Sequence, residues 1–381
     1  MGYFVSLKCT GCGGEYGQSD ILYLCPSCGS PLFANYDFER LRVKLGQREI
    51  VTRSLLSIWR YFSFLPVNPA NIVSLGEGFT PLLKASRISE RVGVKELLLK
   101  NDFLCPSGSF KDRGSTVLIS KAKELKIESV AIDSSGNAAA SLAAYSAAAG
   151  LKCHAFVSKS INASKLVQLE AYGADVLLCE GTRKHISDIT KEACESSGWY
   201  WCSFSVNPFA LEGMKTIAYE VCEQTGWNLP DKIVFPVGSG SGLLGCWKGF
   251  KEIQEMGWID KIPSIVCIQP EGCAPIADAH KRSSFDIVPV KEPKTIAEGL
   301  RVGHPILGRN VLKVLHESNG IAETVTDGQI LEWGSKLARL EGLFVEPSAA
   351  VVIAGLAKLV ENGQIEGDDR VTCVLTGTGL K

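Results

Sequence analysis

Lys111 stands in the turn Pro106-Ser107-Gly108-Ser109-Phe110-Lys111-Asp112-Arg113-Gly114, at the head of an apolar-periodic stretch that reads as a helix. A lysine placed between a glycine turn and a helix that must pack is held more firmly than one on an open surface. Far downstream, the apolar strand Ile233 to Val237 runs into Gly238-Ser239-Gly240-Ser241-Gly242 and a second helix. Backbone N–H groups at such a strand-to-helix turn, together with the helix N-terminus, suit a phosphate. The loop has neither the dinucleotide fingerprint nor the lysine of a Walker loop. Taken singly, the bland readings are a solvated lysine at a helix start and a flexible connection. Taken jointly they make chemical sense. A lysine whose ammonium pKa is lowered forms Schiff bases, and pyridoxal phosphate is the common partner that also needs a phosphate cradle.

A different chemistry is set out near the start. Cys9-x-x-Cys12 and Cys25-x-x-Cys28 form two knuckles, separated by twelve residues and flanked by Gly11, Gly13, Gly14 and Gly29. Two paired knuckles read as a four-cysteine zinc site. With four sulfurs as ligands the ion has no open position for substrate, so its expected role is to stabilise a piece too small to fold alone. Most of the other cysteines stand singly in apolar runs (Cys153, Cys179, Cys202, Cys222, Cys246, Cys267, Cys373) and read as reduced core residues.

Such chemistry needs a large scaffold. The chain has 381 residues, 45% hydrophobic and 21% charged, with net charge −1. That is enough for two cores and an appendage. The balanced charge argues against nucleic acid or an anionic membrane as partner. No apolar run reaches membrane-spanning length, and the Met1 end lacks a signal-peptide pattern, so a cytoplasmic location is expected.

Strands alternate with helices. Leu97 to Lys100 precedes the Lys111 turn, and Val130 to Asp133 runs into Ser134-Ser135-Gly136-Asn137 and an Ala/Ser-rich helix. Units at Cys153 to Val157, Lys165 to Tyr172, Val176 to Cys179 and Trp199 to Phe204 follow, then a long helix ending near Gln224. Ile265 to Ile268, a helix Asp327 to Glu341, the Glu346-Pro347-Ser348-Ala349-Ala350 helix start and Val371 to Leu375 close the chain. The alternation predicts parallel α/β sheets. Leu75-Gly76-Glu77-Gly78-Phe79-Thr80-Pro81-Leu82, rich in turn residues, reads on its own as a loop.

These motifs, with Asn207-Pro208-x-x-Leu211-Glu212-Gly213-x-Lys215-Thr216 and Thr376-Gly377-Thr378-Gly379-Leu380, resemble the threonine synthase family. The resemblance runs in order from Cys9 to Lys381. It implies a fold-type-II (tryptophan-synthase-β-like) α/β pyridoxal-phosphate enzyme with two parallel-sheet domains and an N-terminal zinc ribbon. The expected division is 1–35 for the ribbon, 36–120 with 213–381 for a large domain, and 121–212 for a small one. By resemblance, Lys111 is the Schiff-base lysine and proton shuttle, Phe110 flanks the cofactor ring, and Asn137 meets its phenolic oxygen. Gly238, Ser239, Gly240, Ser241 and Gly242 hold its phosphate, and Thr376 meets the pyridine nitrogen. Ser134 and Ser135 are suited to the substrate α-carboxylate. The family reaction turns O-phosphohomoserine and water into threonine and phosphate. The expected partner is a small amino-acid substrate, and a homodimer is one expectation for the assembly.

The match departs at three places. The family usually has Thr, Asn and Arg where this chain has Ala138, Phe204 and Ala210. Each charge-assisted hydrogen bond lost with such a phosphate grip is worth roughly 1.5–3 kcal/mol. Lys165, Ser205, Ser164, Lys215, Arg301 and His304 remain as candidate grips. The alternative is a relative catalysing β-elimination or β-replacement, such as a threonine or serine ammonia-lyase or a cysteate-synthase-like enzyme. A binding protein on a retired scaffold is a third reading, which the presence of Lys111, Asn137 and Thr376 disfavours.

Overall fold

A computed structural model describes residues 2–134, 136–159, 161 and 163–381. In chain order, β1 (Phe4–Cys9), β2 (Glu15–Tyr16) and β3 (Leu32–Tyr36) form an antiparallel sheet of order β2-β1-β3. Helices α1 (Phe38–Lys44) and α2 (Gln47–Val51) and a 3-10 stretch, Ile58–Phe64, follow. Then come β4 (Leu82–Lys84), α3 (Ser86–Val92), β5 (Glu96–Lys100), α4 (Lys111–Glu124), β6 (Ser129–Ile132), α5 (Asn137–Ala149) and β7 (Lys152–Ser158). Next are α6 (Ala163–Ala171), β8 (Asp175–Cys179), α7 (Arg183–Ser197), β9 (Tyr200–Trp201), α8 (Pro208–Met214) and α9 (Thr216–Gln224). The rest is β10 (Lys232–Pro236), α10 (Ser241–Glu255), β11 (Ser264–Pro270), α11 (Pro275–Lys281), α12 (Gly308–Glu317), β12 (Ile321–Val325), α13 (Asp327–Glu341), α14 (Pro347–Glu361) and β13 (Arg370–Val374).

Two compact units share these elements. Unit 1 holds the chain up to Phe79, Cys105–Thr216 and Lys381; unit 2 holds Thr80–Leu104 and Ile217–Leu380. Unit 1 contains the small antiparallel sheet and a parallel sheet of order β8-β7-β6-β9. Unit 2 contains a sheet of order β12-β11-β10-β13-β5-β4, parallel except for the β4 edge, and drawn from two separated stretches. Central strands such as Ile233-Val234-Phe235 are buried along their length, as parallel strands covered on both faces require. Grouping by contacts divides the chain elsewhere than the expected bounds at 120 and 213, because α4 packs on α5 and α8 and so belongs with unit 1.

Within unit 1 one core runs from Phe4, Leu7 and Tyr36 of the small sheet through Val117 and Leu118 of α4 to Leu142 of α5 and Phe209 of α8. The small sheet is thus built into the body that carries Lys111. The expected strand Trp199 to Phe204 shortens to Tyr200–Trp201, because Ser203 already accepts from the N–H groups of Val206 and Asn207 in a turn. Asn207 then caps α8 through Phe209 N. The helix expected after Gly213 and running to about Gln224 is α9; α8, ahead of it over the Asn207 to Gly213 motif, is unexpected, and the Thr216 hydroxyl donates to the Gly213 carbonyl at 2.6 Å where the two meet. Among the described residues no helix is long and apolar enough to cross a membrane.

Candidate active site

Lys111 opens α4, half-buried, directly after Phe110 in right-handed helical geometry. Its Nζ lies 4.7 Å from the Phe110 ring centroid and 4.6 Å from that of Phe204. The turn before it is pinned from inside: Asp112, fully buried, accepts from Ser107 N at 2.6 Å and Ser107 Oγ at 2.5 Å. Burial pushes the Asp112 carboxyl above the usual carboxylate range, against these hydrogen bonds. Lys381 Nζ also donates to the Ser107 carbonyl, at 2.9 Å.

Asn137 opens α5, which follows β6 in the neighbouring layer of the same unit. Before it, Ser134 is half-buried and its Oγ accepts from Gly136 N at 3.3 Å; Ser135 lies outside the described residues. The Trp201 indole holds Asp133, at the root of this loop, by an N–H···O bond of 3.2 Å, and Trp201 N in turn donates to the Tyr23 hydroxyl at 2.8 Å. Ala138 is buried behind Asn137.

Lys165 lies on α6, half-buried, three residues before Gln168, whose Nε2 donates to the Ser107 carbonyl at 3.4 Å. Its helix therefore runs beside the Lys111 turn. Ser205 is half-buried between Phe204 and Val206. The other expected grips fare differently. Lys215 is fully buried, with Nζ 2.6 Å from Glu212 Oε2 and 3.9 Å from the Tyr36 ring centroid; Glu212 also accepts from the Tyr36 hydroxyl at 2.7 Å. Its charge is spent inside the core and not offered to a ligand. Ala210 is also fully buried, its carbonyl facing Gly114 on α4.

In unit 2, β10 and β13 are adjacent and parallel, so the loop Gly238–Gly242 and Thr376 leave the sheet side by side at its carboxyl edge, where α/β sheets take ligands. Gly240 has φ of 95° and is the N-cap of α10, a helix of 15 residues. A side chain there would be strained and would meet Val311 Cγ2 at 2.5 Å. The first N–H groups of α10 have no intrahelical acceptor and face outward with the positive end of the helix dipole. The loop is thus a donor set for an anion. Gly238 packs on the Gly299 carbonyl and Val302, and Arg301 and His304 of that segment are exposed. Thr376 is 4% exposed.

The four cysteine sulfurs lie within 4.8 Å of one another, with Cys9 Sγ 3.4 Å from Cys28 Sγ and Cys12 Sγ 3.6 Å from Cys25 Sγ. Sulfurs bound tetrahedrally to zinc at about 2.3 Å are about 3.8 Å apart, so the set fits that ion. The Tyr16 hydroxyl, 3.0 Å from Cys25 Sγ, holds that thiol down at about 6, which favours the thiolate a metal needs.

Two features had no local signal. Phe204 stands out in the chain only as a departure from a motif, yet its ring covers Lys111. Glu77, read as part of a loop, is fully buried among hydrogen-bond donors from distant segments. Neither contact follows from spacing in the chain.

In unit 1 the lysine near two aromatic rings and the asparagine at a second helix start, and in unit 2 the glycine-rich donor loop, each have chemistry that suits pyridoxal phosphate. Known proteins agree. The pyridoxal-phosphate dependent enzyme family matches residues 73–377. The threonine synthase of Methanocaldococcus jannaschii is 43% identical over 376 residues, 98% of this chain and 92% of that protein. The threonine synthase of Methanosarcina acetivorans is 39% identical, with the same coverage of each. Among solved structures, maize serine racemase superposes with TM-score 0.70 at 23% identity, over 79% of this chain and 88% of that one. A threonine deaminase isoform from Solanum lycopersicum gives TM-score 0.70 at 22% identity, over 85% of each. These two show the shared fold, that of the fold-type-II enzymes. On its motifs, its site residues and these matches, the chain belongs to the pyridoxal-phosphate dependent enzymes, with threonine synthases as relatives over nearly its whole length.

Proposed function

We propose that this chain converts O-phosphohomoserine and water to threonine and phosphate. The observation that supports the reading is the match of nearly the whole chain to proteins named threonine synthase, at 43% and 39% identity. The bound cofactor would supply an electron sink for carbanions next to the substrate nitrogen. Lys111 would hold the cofactor, then take and return protons at the substrate α and β carbons from its half-buried place at the start of α4. Asn137 would orient the ring through its phenolic oxygen. The N–H donors of Gly238–Gly242 would bind the cofactor phosphate, and the Thr376 hydroxyl would meet the pyridine nitrogen. A hydroxyl holds a pyridinium proton less firmly than a carboxylate does, which suits elimination and addition at the β and γ carbons.

Ser134, Ser135 and the start of α5 would bind the substrate α-carboxylate. Lys165, on the helix whose Gln168 meets the Lys111 turn, would meet the substrate phosphate, with Ser205 as a second donor. The four-cysteine cluster would hold a structural zinc ion. With four sulfur ligands it takes no part in the chemistry.

The experiment is an assay of the purified protein with O-phosphohomoserine, O-phosphoserine, serine and threonine, measuring phosphate, ammonia and amino-acid products, the phosphoserine arm with and without sulfite. Threonine and phosphate from O-phosphohomoserine are expected. Inertness toward that compound, with turnover of any other, would overturn the reading. Lys111→Ala is expected to abolish turnover and the borohydride-reducible cofactor adduct while the fold persists.

A further inference from the structure

We infer that Glu77 is a positioning residue for the site: its buried carboxylate ties the Asn137 helix to the Lys111 helix and so sets how the two helix starts are held. The inference rests on the pyridoxal-phosphate reading and not on the choice of substrate.

Glu77 is fully buried in unit 1. Its Oε2 accepts from the Tyr145 hydroxyl at 2.7 Å and from Leu75 N at 2.8 Å. Its Oε1 accepts from Trp59 Nε1 at 2.9 Å and from Ser74 Oγ at 3.0 Å. Tyr145 lies on α5, two turns in from Asn137. Trp59 Nε1 also lies 3.0 Å from the Oγ1 of Thr116, which is on α4 a turn and a half in from Lys111. One carboxylate thus reaches both helices, one directly and one through the shared indole N–H. Nearer the helix starts, Ser141 Oγ of α5 donates to Ser115 Oγ of α4 at 2.7 Å. The two helices are therefore tied at two levels, and the site residues extend from the same ends.

Placing this carboxylate has a backbone cost. Gly76 and Gly78 flank it with φ of 88° and 86°, and Phe79 takes φ of 45°, a strained value for a residue with a side chain. Phe79 is held there beneath the Arg60 guanidinium, 4.4 Å from the ring centroid. Among the described residues no lysine or arginine pairs with Glu77, and burial pushes its carboxyl above the usual carboxylate range, against the neutral donors that hold it. A buried carboxylate without a cation is a costly way to fill a core. It is intelligible where fixed geometry matters, since sites of this kind tolerate only about half an ångström of play.

Glu77→Gln keeps the shape but replaces one acceptor with a donor that must face the indole N–H or the tyrosine hydroxyl. The full-length variant should fold and bind pyridoxal phosphate at least ten-fold more weakly, with an altered visible circular dichroism of the bound cofactor. Tyr145→Phe should shift both readouts in the same direction by less, and the double variant should be no weaker than Glu77→Gln, since both cut one tie. Ser74→Ala removes a donor to the same carboxylate without touching either helix, and should leave cofactor affinity and spectrum within two-fold of the wild type. Glu77→Gln with unchanged affinity and spectrum at a lowered melting temperature would reduce Glu77 to a core residue and overturn the inference. Should that variant not fold, Tyr145→Phe with unchanged affinity and spectrum overturns it equally. No substrate enters these measurements, so they stand or fall apart from the phosphohomoserine reading.

Discussion

The Phe204 ring lies over Lys111, its centroid 4.6 Å from the ammonium nitrogen, and the ring of the neighbouring Phe110 lies 4.7 Å from the same atom. An aromatic face is worth about 0.5–1 kcal/mol to an ammonium held against it at a partly exposed site. Phe204 is itself buried in the core of unit 1. Phe204→Leu removes that face and part of a buried ring, and should cost at least about 1 kcal/mol of stability. Urea unfolding of the variant beside the wild type reads this directly, and an unchanged midpoint would show the ring to be dispensable to the core.

The Glu212–Lys215 pair sits at zero exposure under Tyr36 of the small sheet. Lys215→Met would leave a buried carboxylate without its cation and should cost about 3–5 kcal/mol in urea unfolding. Adding Glu212→Gln should recover part of that loss. Were Lys215 a phosphate grip instead, the single variant would weaken substrate binding with stability intact.

Helices α4 and α8 approach so closely that a methyl on Gly213 would stand 1.7 Å from the Arg113 carbonyl, and one on Gly114 would stand 2.5 Å from Phe204 Cε1. Backbone cannot yield as a flexible side chain does. Gly213→Ala should lose at least about 3 kcal/mol, the upper end for overpacking, and more than Gly114→Ala, where a ring can turn. Thermal unfolding of both variants checks the order.

Metal analysis should find one zinc per chain, and a strong chelator should lower the melting temperature. Because Phe4 and Tyr36 share a core with α4 and α8, the loss should reach beyond the small sheet. Amide exchange should then quicken in α8 as well as in β1 and β3. Exchange confined to β1–β3 would show the ribbon to be an independent appendage.

Burial raises the Asp112 carboxyl above its unfolded value of about 3.9. The native state then binds a proton more readily than the unfolded chain, so this group's contribution to stability falls as pH rises through the window above about 3.9. The stability of the wild type relative to Asp112→Asn, measured by urea unfolding from pH 4 to pH 8, should decline with rising pH. A flat difference would show that the hydrogen bonds from Ser107 offset the burial.

Lys111, the Gly238–Gly242 loop and the four cysteines could be singled out in the chain because each rests on a short local pattern: a turn before a helix, a strand-to-helix glycine run, a knuckle; Asn137 and Thr376 stand out by the family resemblance alone. Local patterns are set by backbone preferences and survive without knowledge of the partner. The alternation of strands and helices likewise predicted the parallel sheets, while the early end of β9 at Trp201 and the separate helix α8 did not show, since a backbone turn at Ser203 ends the one and the Asn207 side chain caps the other.

What tertiary structure alone decided is which polar groups meet far apart in sequence. Lys215 and Glu77 look alike in the chain, charged residues in motif loops, yet one is consumed by Glu212 and Tyr36 and the other is held by Trp59 and Tyr145. The desolvation of a charge depends on everything packed around it, and that is a property of the folded core and not of neighbouring residues in the chain.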